Sequence, residues 1–322
     1  MRQDVWALLG VGGAHVDRIG HVEGPYHAGA SNPGRLVTTV GGGVFNALRN
    51  VRLAGLQPIG LISARGGDYD GGLVGDTIEA AGIADLSAVF LDRRTASYTA
   101  ILDAEGDQVA GLADMEIYET ALPRQLRRKA LREALSSAQA VLVDANLPVA
   151  ALTTIGLRAP GPIFAIAISP AKATRLQAIA TMIDTVFMNR REMKALTGQD
   201  GAAAGLAALC DLGFGGAVVT NGAGPVIVLE DGAHHAVVPP AADEIKDVTG
   251  AGDALAGATI AALLRDPDVS LAQAVCSGIA AAQITLRCEG PVAPEFETAA
   301  FAAIRDGARI QTLQDLAEET IP

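Results

Sequence analysis

The 322-residue chain contains few cysteines and fewer basic than acidic residues. Its three cysteines, Cys210, Cys276 and Cys288, have neither paired nor metal-ligand spacing, which excludes a disulfide framework and favours a reducing, cytoplasmic compartment. We predict that they are buried as small apolar side chains. Lysine and arginine number 24 against 36 aspartate and glutamate residues, giving a net charge of −12. Nucleic acid is not expected as a partner, because such binders need a basic surface and the densest basic segment, at 124–132, is interpreted as the solvated face of a helix.

The sequence also lacks long hydrophobic runs, low-complexity tracts and linkers. The apolar run at 254–264 is too short to cross a bilayer, and the short apolar stretch at 5–11 is typical of a first buried strand and not of a signal peptide. No membrane partner is therefore expected. Because no linker or internal repeat divides the chain, residues 1–322 are interpreted as a single domain.

A glycine-containing heptapeptide at the start of a predicted helix is the most informative feature that is present. Residues 247–253 read DVTGAGD and precede the apolar run. Gly250 and Gly252 would let the backbone approach a phosphate, towards which the helix would direct its unpaired N–H groups and positive end. A carboxylate beside an anion is unfavourable unless it accepts a proton there, so Asp253 is predicted to be a general base. Helix capping alone would also explain these residue types.

A second glycine cluster, at 41–43, precedes another helical pattern. Its apolar face is predicted to contain Val44, Leu48, Val51 and Leu56, with Gly55 ending the run. Asn46, one turn into this helix, carries an amide that both donates and accepts hydrogen bonds. Such an amide is suited to sugar hydroxyls.

Together the two clusters resemble the N-terminal and C-terminal signatures of the PfkB (ribokinase-like) family of carbohydrate and nucleoside kinases. Three further elements extend this resemblance along the chain. Residues 189–192 are similar to the N-x-x-E element, residues 220–222 are similar to the T-x-G of the nucleotide loop, and Asp17 matches an early substrate-binding aspartate. Five elements in sequence order are far more specific than any one of them.

The distribution of short apolar runs predicts an α/β fold. Strands are predicted at 5–11, 58–63, 140–144, 163–168, 185–188 and 217–220, each followed by a helical or glycine-rich segment, which favours a mostly parallel sheet between helices. The resemblance implies a ribokinase-like three-layer α/β/α sandwich with a small β lid, assigned to segments at about 15–40 and 96–113. Lids of this family often pair with a second subunit's lid, so a homodimer is expected from the resemblance.

The resemblance also implies a role for each matching residue, at the carboxyl ends of strands where open parallel sheets bind ligands. Asp253 would be the base. The transferred phosphoryl group would meet the N–H groups of Gly250, Ala251 and Gly252. Sugar hydroxyls would be bound by Asp17, Gly42, Gly43, Asn46 and Asn146. ATP would be bound by Asn189, Thr220, Gly222, Thr249, Gly250 and Gly252. Glu192 would place Mg²⁺ through water, and a K⁺ site would involve Asp247 and Thr249.

Residues outside these signatures bear on the substrate. The segments 31–35, 95–100, 113–115 and 144–148 resemble the pseudouridine kinase branch, with the ribose 5′-hydroxyl as acceptor. Tyr98 would stack on the base, and Asn32 or Asp114 would pair with the polar edges of uracil. Alternatively, Tyr98 is a core aromatic of the lid and 31–35 is merely a turn.

Several other functions stay open at this stage. Within the same chemistry they are ribokinase, adenosine or another nucleoside kinase, and ketohexose or deoxygluconate kinase. Outside it, a non-catalytic sugar-binding protein could use the same fold. The joint presence of Asp253, Asn189 and Glu192 argues against a pure binder, because binding needs neither a base nor a metal-positioning acid.

Overall fold

The computed structural model describes residues 5–314 and is built around sixteen β-strands. In chain order they are β1 (Leu8–Val11), β2 (His15–Val22), β3 (Gly34–Gly41), β4 (Ile59–Ile62), β5 (Ala64–Gly66), β6 (Ala84–Asp85), β7 (Ala88–Phe90), β8 (Ser97–Leu102), β9 (Gln108–Asp114), β10 (Val141–Asp144), β11 (Ile163–Ile166), β12 (Thr185–Asn189), β13 (Gly216–Thr220), β14 (Val226–Glu230), β15 (Ala233–Val238) and β16 (Arg309–Thr312).

Ten of these strands form one sheet in the order β16-β15-β14-β13-β12-β11-β10-β1-β4-β6. Every neighbouring pair from β6 to β13 is parallel, and the three pairs from β13 to β16 are antiparallel. The mostly parallel sheet is therefore confirmed, and the six predicted strands correspond to β1, β4, β10, β11, β12 and β13.

Twelve α-helices accompany the described strands. They are α1 (Gly43–Leu53), α2 (Tyr69–Ala80), α3 (Glu116–Thr120), α4 (Leu122–Gln125), α5 (Lys129–Ser137), α6 (Val149–Gly156), α7 (Pro170–Ala173), α8 (Arg190–Thr197), α9 (Ala202–Asp211), α10 (Ala251–Arg265), α11 (Leu271–Leu286) and α12 (Thr298–Gly307), with a 3-10 segment at Thr174–Met182.

The helices form two layers because successive strand residues point to opposite faces of the sheet. In β1, Leu8 packs in the core beneath α1, α2, α10 and α11, whereas Leu9 packs in the core beneath α3 to α9. Both side chains are fully buried, as expected for a parallel strand covered on both faces. The chain thus forms the predicted α/β/α sandwich.

A separate four-stranded sheet, in the order β3-β2-β8-β9, corresponds to the two segments predicted as a lid. β2 is antiparallel to β3 and parallel to β8, and β8 and β9 form an antiparallel hairpin. Tyr98 and Asp17 are register partners on one face of this sheet. That face therefore carries two of the predicted substrate residues.

Three smaller predictions differ from the structure. Leu56 lies beyond the end of α1, because that helix ends at Leu53. The basic segment at 124–132 is not one helix, since it crosses from α4 to α5 through three non-helical residues. Cys276 is buried and Cys288 is half-buried, but Cys210 is exposed, so the prediction of a buried side chain is wrong for Cys210. Within residues 5–314, no helix has the length and apolar character needed to cross a bilayer.

Candidate active site

The candidate site is a cavity of about 650 Å³ at the carboxyl edge of the large sheet, closed on one side by the lid. Residues at the ends of three parallel strands line it: Asn146 after β10, Asn189 at the end of β12 and Thr220 at the end of β13. The first turns of α1 and α10 meet the same cavity. The structure therefore brings these predicted residues together at the strand ends.

The start of α10 has the backbone geometry that the heptapeptide predicted. Gly250 precedes the helix with φ of 77°, and a Cβ atom there would lie 2.0 Å from the Pro291 carbonyl oxygen. Glycine is required at this position. In contrast, a Cβ atom at Gly252 would meet nothing within 4 Å, because Gly252 faces the open cavity.

Part of the predicted anion hole is unpaired. Among the described residues, the N–H groups of Gly250 and Gly252 donate to no protein acceptor, whereas the Ala251 N–H donates to the Val248 carbonyl at 3.4 Å. Since the α10 dipole places partial positive charge at this end, the two unpaired N–H groups offer a site for an anion. To contribute to this anion site, the Ala251 N–H would first have to break its weak hydrogen bond to the Val248 carbonyl.

Asp253 lies on the first turn of α10, and its side chain borders the cavity. Its Oδ2 atom accepts a hydrogen bond of 2.9 Å from Asn46 Nδ2. Burial raises the pKa of Asp253 to about 7, the Asn46 hydrogen bond opposes this rise, and the negative charges of Asp144, Asp17 and Glu192 add to it. A carboxylate with a pKa near neutrality is suited to accept a proton during turnover.

The N-terminal glycine cluster brings Asn46 and Asp17 to the site. Gly42 has φ of 115°, and a Cβ atom there would lie 2.4 Å from the Gly13 carbonyl oxygen. A Cβ atom at Gly41 would lie 2.1 Å from Asp17 Oδ2. These glycines therefore allow β1, β3 and α1 to converge beside the Asp17 carboxylate. Asn46 Oδ1 is buried and has no hydrogen-bond partner among the described residues, which leaves an acceptor for a substrate hydroxyl.

His15 contacts Asp17 from two positions earlier on the same face of β2. Its Nε2 atom lies 3.4 Å from Asp17 Oδ1, and its Nδ1 atom lies 3.4 Å from the Tyr118 hydroxyl. Tyr118 is fully buried, and its hydroxyl also donates to the Ala14 carbonyl at 2.9 Å. The imidazole is therefore held in a fixed orientation towards the Asp17 carboxylate.

A lysine contacts Asn146 on the other wall of the cavity. Lys172 Nζ donates to Asn146 Oδ1 at 2.6 Å, and the Asn146 N–H donates to Asp144 Oδ1 at 2.9 Å. Asp144 is fully buried and also accepts from the Gly13 N–H at 2.9 Å, so it joins the ends of β1 and β10. Burial raises the pKa of Asp144, and these two hydrogen bonds oppose that rise. Lys172 therefore fixes the Asn146 amide, and Asp144 fixes its backbone.

Asn189 and Glu192 form a capping box at the start of α8. Asn189 Oδ1 accepts from the Glu192 N–H at 2.9 Å, and Glu192 Oε2 accepts from the Asn189 N–H at 2.8 Å. Burial raises the pKa of Glu192, which is 6% exposed, and the bonds from Asn189 oppose that rise. Its Oε1 atom makes no hydrogen bond to the described residues. This single free oxygen fits Mg²⁺ bound through water, because Mg²⁺ takes most of its ligands from water and phosphate.

Asp247 holds the turn before α10. Its Oδ1 atom accepts from the Thr249 N–H at 2.8 Å, and its Oδ2 atom accepts from the Gly290 N–H at 3.2 Å. Burial alone would raise the pKa of Asp247, but these bonds outweigh it and lower the pKa below its ordinary value.

Within residues 5–314, no cluster of three or more histidine, cysteine, aspartate or glutamate residues could hold a metal ion. The structure leaves a K⁺ site at Asp247 and Thr249 untested.

Most of the predicted site residues line this one cavity. They are Asp17, Gly42, Gly43, Asn46, Tyr98, Asn146, Asn189, Glu192, Thr220, Thr249, Gly250, Gly252 and Asp253. Gly222 lies beyond the rim, in an exposed loop with φ of 58°.

Asn32 and Asp114 do not line the cavity, which corrects their predicted contacts with the base. The Asn32 amide accepts from the His27 N–H and donates to the carbonyls of His27 and Ala30, so its hydrogen bonds are used within the lid loop. Asp114 follows Ala113, which faces the cavity, and successive residues of β9 point to opposite faces. Its carboxylate therefore lies on the far side of the lid.

Sequence reasoning did not identify Lys172 or Ile168, which both line the cavity. Ile168 has φ of 67°, a strained conformation for a β-branched residue, and its Cδ1 atom occupies the space beside Gly43. No motif marked either residue. Their position after β11, beside the other strand ends, is the signal that could have found them.

Comparisons with known proteins agree with this geometry. The family model "pfkB family carbohydrate kinase" matches residues 8–299. The chain belongs to the pfkB family. It is 41% identical to a carbohydrate kinase from Agrobacterium tumefaciens, whose structure superimposes with a TM-score of 0.81 over 94% of this chain and 99% of that one. Against pseudouridine kinase of Escherichia coli K12 it is 27% identical over 79% of this chain and 82% of the relative.

The fold extends to more distant members. The structure of Arabidopsis thaliana ribokinase complexed with ribose and ATP superimposes with a TM-score of 0.82 at 19% identity, covering 94% of this chain and 99% of that one. The fold is therefore ribokinase-like, and the chain is a phosphotransferase of the pfkB family.

Proposed function

We propose that this chain is an ATP-dependent kinase that phosphorylates the 5′-hydroxyl of pseudouridine and releases pseudouridine 5′-phosphate and ADP. The observation that carries the reaction type is the position of Asp253. Its carboxylate borders the cavity, is hydrogen-bonded to Asn46 and has a pKa near 7, immediately beside the unpaired N–H groups of Gly250 and Gly252. A base and an anion-binding helix start thus share one location.

In the proposed reaction, Asp253 accepts the proton of the nucleoside 5′-hydroxyl while the hydroxyl oxygen attacks the γ-phosphorus of ATP. The bond from that phosphorus to the bridging oxygen breaks, and ADP leaves with the electron pair. The N–H groups of Gly250 and Gly252, joined by that of Ala251, and the positive end of α10 stabilise the charge on the transferred group. Mg²⁺, placed by Glu192 through water, would neutralise charge on the phosphate oxygens. Asn189 and Thr220 would face the nucleotide phosphates.

The likeness to pseudouridine kinase of Escherichia coli supports the choice of acceptor, together with the lid residues at the cavity. Tyr98 lines the cavity from the lid, and its hydroxyl donates to Gln108 Oε1 at 3.0 Å, which orients the ring. An aromatic ring covering the cavity is suited to stacking on a nucleobase. Asp17, Asn46 and Asn146 would bind the ribose hydroxyls.

Product formation with ATP tests this proposal. Pseudouridine, uridine, adenosine, ribose, fructose and deoxygluconate would be offered in parallel, and products would be identified by mass spectrometry. We expect pseudouridine to have the highest kcat/KM. Preference for another acceptor would support the kinase chemistry but refute pseudouridine as the substrate. Absence of phosphorylation with every acceptor, despite measurable nucleoside binding, would favour the non-catalytic sugar-binding alternative.

We further propose that two copies pair through their lids and that K⁺ binds near Asp247 and the Thr249 carbonyl. On the lid face opposite Tyr98, Leu36 and Leu112 are 59% and 70% exposed, which favours burial against a second lid. Light scattering should give the mass of a dimer, and a Leu36→Ser, Leu112→Ser variant should be monomeric.

The proposed K⁺ site is tested by replacing K⁺ with Na⁺ in the assay, which should lower kcat. Equal rates in both salts would refute the K⁺ site.

A further inference from the structure

A second cavity, of about 830 Å³, lies beside the C-terminal half of α1, whereas the catalytic cavity meets the first turn of this helix. Its walls come from α1, the C-terminal half of α2, and the chain on either side of α10 and α11. Among the described residues, it shares no lining residue with the catalytic cavity. Of those residues, four cationic side chains line it, Arg49, Arg52, Lys246 and Arg287, against a single carboxylate, Glu289.

The two arginines on α1 are not neutralised by the protein. Among residues 5–314, no carboxylate lies within 4 Å of either guanidinium, although the chain has 36 acidic residues. Arg52 Nε is shielded from solvent and makes no hydrogen bond to the part of the chain that the structure describes. Arg49 lies over the Phe45 ring, 5.6 Å from its centroid, and burial lowers its pKa below the ordinary value.

The other two cations have only weak partners. Arg287 lies 3.4 Å from Asp243, which is 85% exposed, and Lys246 lies 3.7 Å from Glu244, with both side chains about half exposed. Such surface pairs contribute little and are screened by salt. The cavity therefore combines partly desolvated guanidinium groups with an excess of positive charge, in a protein whose net charge is −12. Partly buried charge without a counterion is unfavourable, so a bound anion would stabilise this arrangement.

We infer that this cavity is a binding site for a small phosphate-bearing anion, either inorganic phosphate or the phosphate of a nucleoside monophosphate. Guanidinium groups bind phosphate through two parallel hydrogen bonds, and a phosphate monoester carries nearly two negative charges at neutral pH. Because Arg52 Nε is shielded from solvent, the terminal nitrogens of its guanidinium would be the donors to phosphate. Phosphate would balance the excess positive charge of the cavity lining.

The site is tested locally, because α1 also carries Asn46 and activity alone would not separate the two cavities. Cys288 lines this cavity and is half-buried, whereas Cys210 is exposed on α9 and serves as an internal control. The full-length protein is alkylated with the uncharged reagent iodoacetamide, without ATP, and each cysteine is followed by mass spectrometry. Sodium chloride at equal ionic strength controls for screening.

We expect the alkylation of Cys288 to slow roughly tenfold when the anion is present at about ten times its Kd, with no change at Cys210. Inorganic phosphate and uridine monophosphate are tested separately. Protection by both identifies phosphate itself as the ligand, and protection by the monophosphate alone identifies the ester. Arg49→Met and Arg52→Met should each abolish protection, whereas Arg127→Met removes an exposed arginine elsewhere and should leave protection intact.

Three results would overturn the site. They are unchanged alkylation of Cys288 with both anions, equal slowing at Cys210, or full protection in the Arg49→Met and Arg52→Met variants. Melting curves check that the variants are folded, and Arg287→Met replaces any variant that is not. This test does not depend on pseudouridine phosphorylation, so the two proposals can fail separately.

Discussion

The amide of Asn46 donates a hydrogen bond of 2.9 Å to the carboxylate of Asp253, joining the starts of α1 and α10 across 207 sequence positions. This bond fixes the carboxylate at the cavity wall and stabilises its ionised form. Burial and three nearby carboxylates have the opposite effect on the pKa. The balance between these effects leaves a base that can release its proton near neutral pH.

Replacement of Asp253 by Asn should lower kcat by about 10²- to 10⁴-fold, the usual contribution of general-base catalysis. The Asn side chain keeps an oxygen that accepts from Asn46, so nucleotide binding should change little. Steady-state kinetics and calorimetric titration with ATP measure the two effects. A variant that keeps near-normal kcat would exclude Asp253 as the base.

The raised pKa of Asp253 also predicts a pH dependence of activity. Because the base must be ionised, kcat/KM for the nucleoside should fall about tenfold per pH unit below pH 7 and level off above it. Asn46→Ala removes the hydrogen bond that lowers this pKa, so the inflection should move to higher pH. An unshifted inflection in Asn46→Ala would assign the titration to another group.

The same pKa predicts an effect on stability. The folded pKa of about 7 lies above the ordinary value of 3.8, so the folded state retains a proton that the unfolded state has released between these values. Ionised Asp253 therefore destabilises the fold as pH rises through that range. At about pH 4 the Asp253→Asn variant should melt at the same temperature as wild type, and at about pH 8 it should melt at a higher temperature than wild type. A variant that melts below wild type at about pH 8 would contradict the burial argument.

Much of the fold and site could be predicted from local sequence signals. The DVTGAGD heptapeptide and the glycines at 41–43 predicted the starts of α10 and α1. Glycine is needed at such a start when another backbone segment occupies the space that a Cβ atom would fill. At Gly250 that neighbour is the Pro291 carbonyl, and at Gly42 it is the Gly13 carbonyl. The strands were predicted because their apolar runs are short and buried on both faces.

The errors arose where side-chain direction or tertiary contact decides the outcome. Asp114 is adjacent to cavity-lining Ala113, and in a strand a shift of one position moves a side chain to the opposite face. The sequence predicts that the Asn32 amide binds the base, but local hydrogen bonds within its own loop use that amide. Lys172 reaches Asn146 across 26 positions from the start of another helix, a contact that no local pattern predicts.

The two glycines of the α10 start should respond differently to alanine. Gly252→Ala places a methyl group in open cavity space, so stability should be retained while kcat falls because the phosphoryl group is kept from the backbone N–H groups. Gly250→Ala requires a positive φ and clashes with Pro291, so it should lower the melting temperature as well. Kinetics with melting curves on both variants test this contrast. Equal loss of stability in both would show that Gly252 is also structurally constrained.

Lys172 is expected to act on acceptor binding through Asn146. Its ammonium donates to Asn146 Oδ1 at 2.6 Å in a half-buried setting, and burial lowers the pKa of Lys172. A hydrogen bond to a charged group contributes about 1.5 to 3 kcal/mol, so Lys172→Met should raise KM for the nucleoside by roughly tenfold or more. The KM for ATP should change less, since Asn146 lies at the sugar end of the cavity. Lys129→Met, which removes a lysine that is 82% exposed on α5, is the matched control. If Lys172→Met instead lowered kcat with both KM values unchanged, Lys172 would act on the transferred phosphoryl group and not on Asn146.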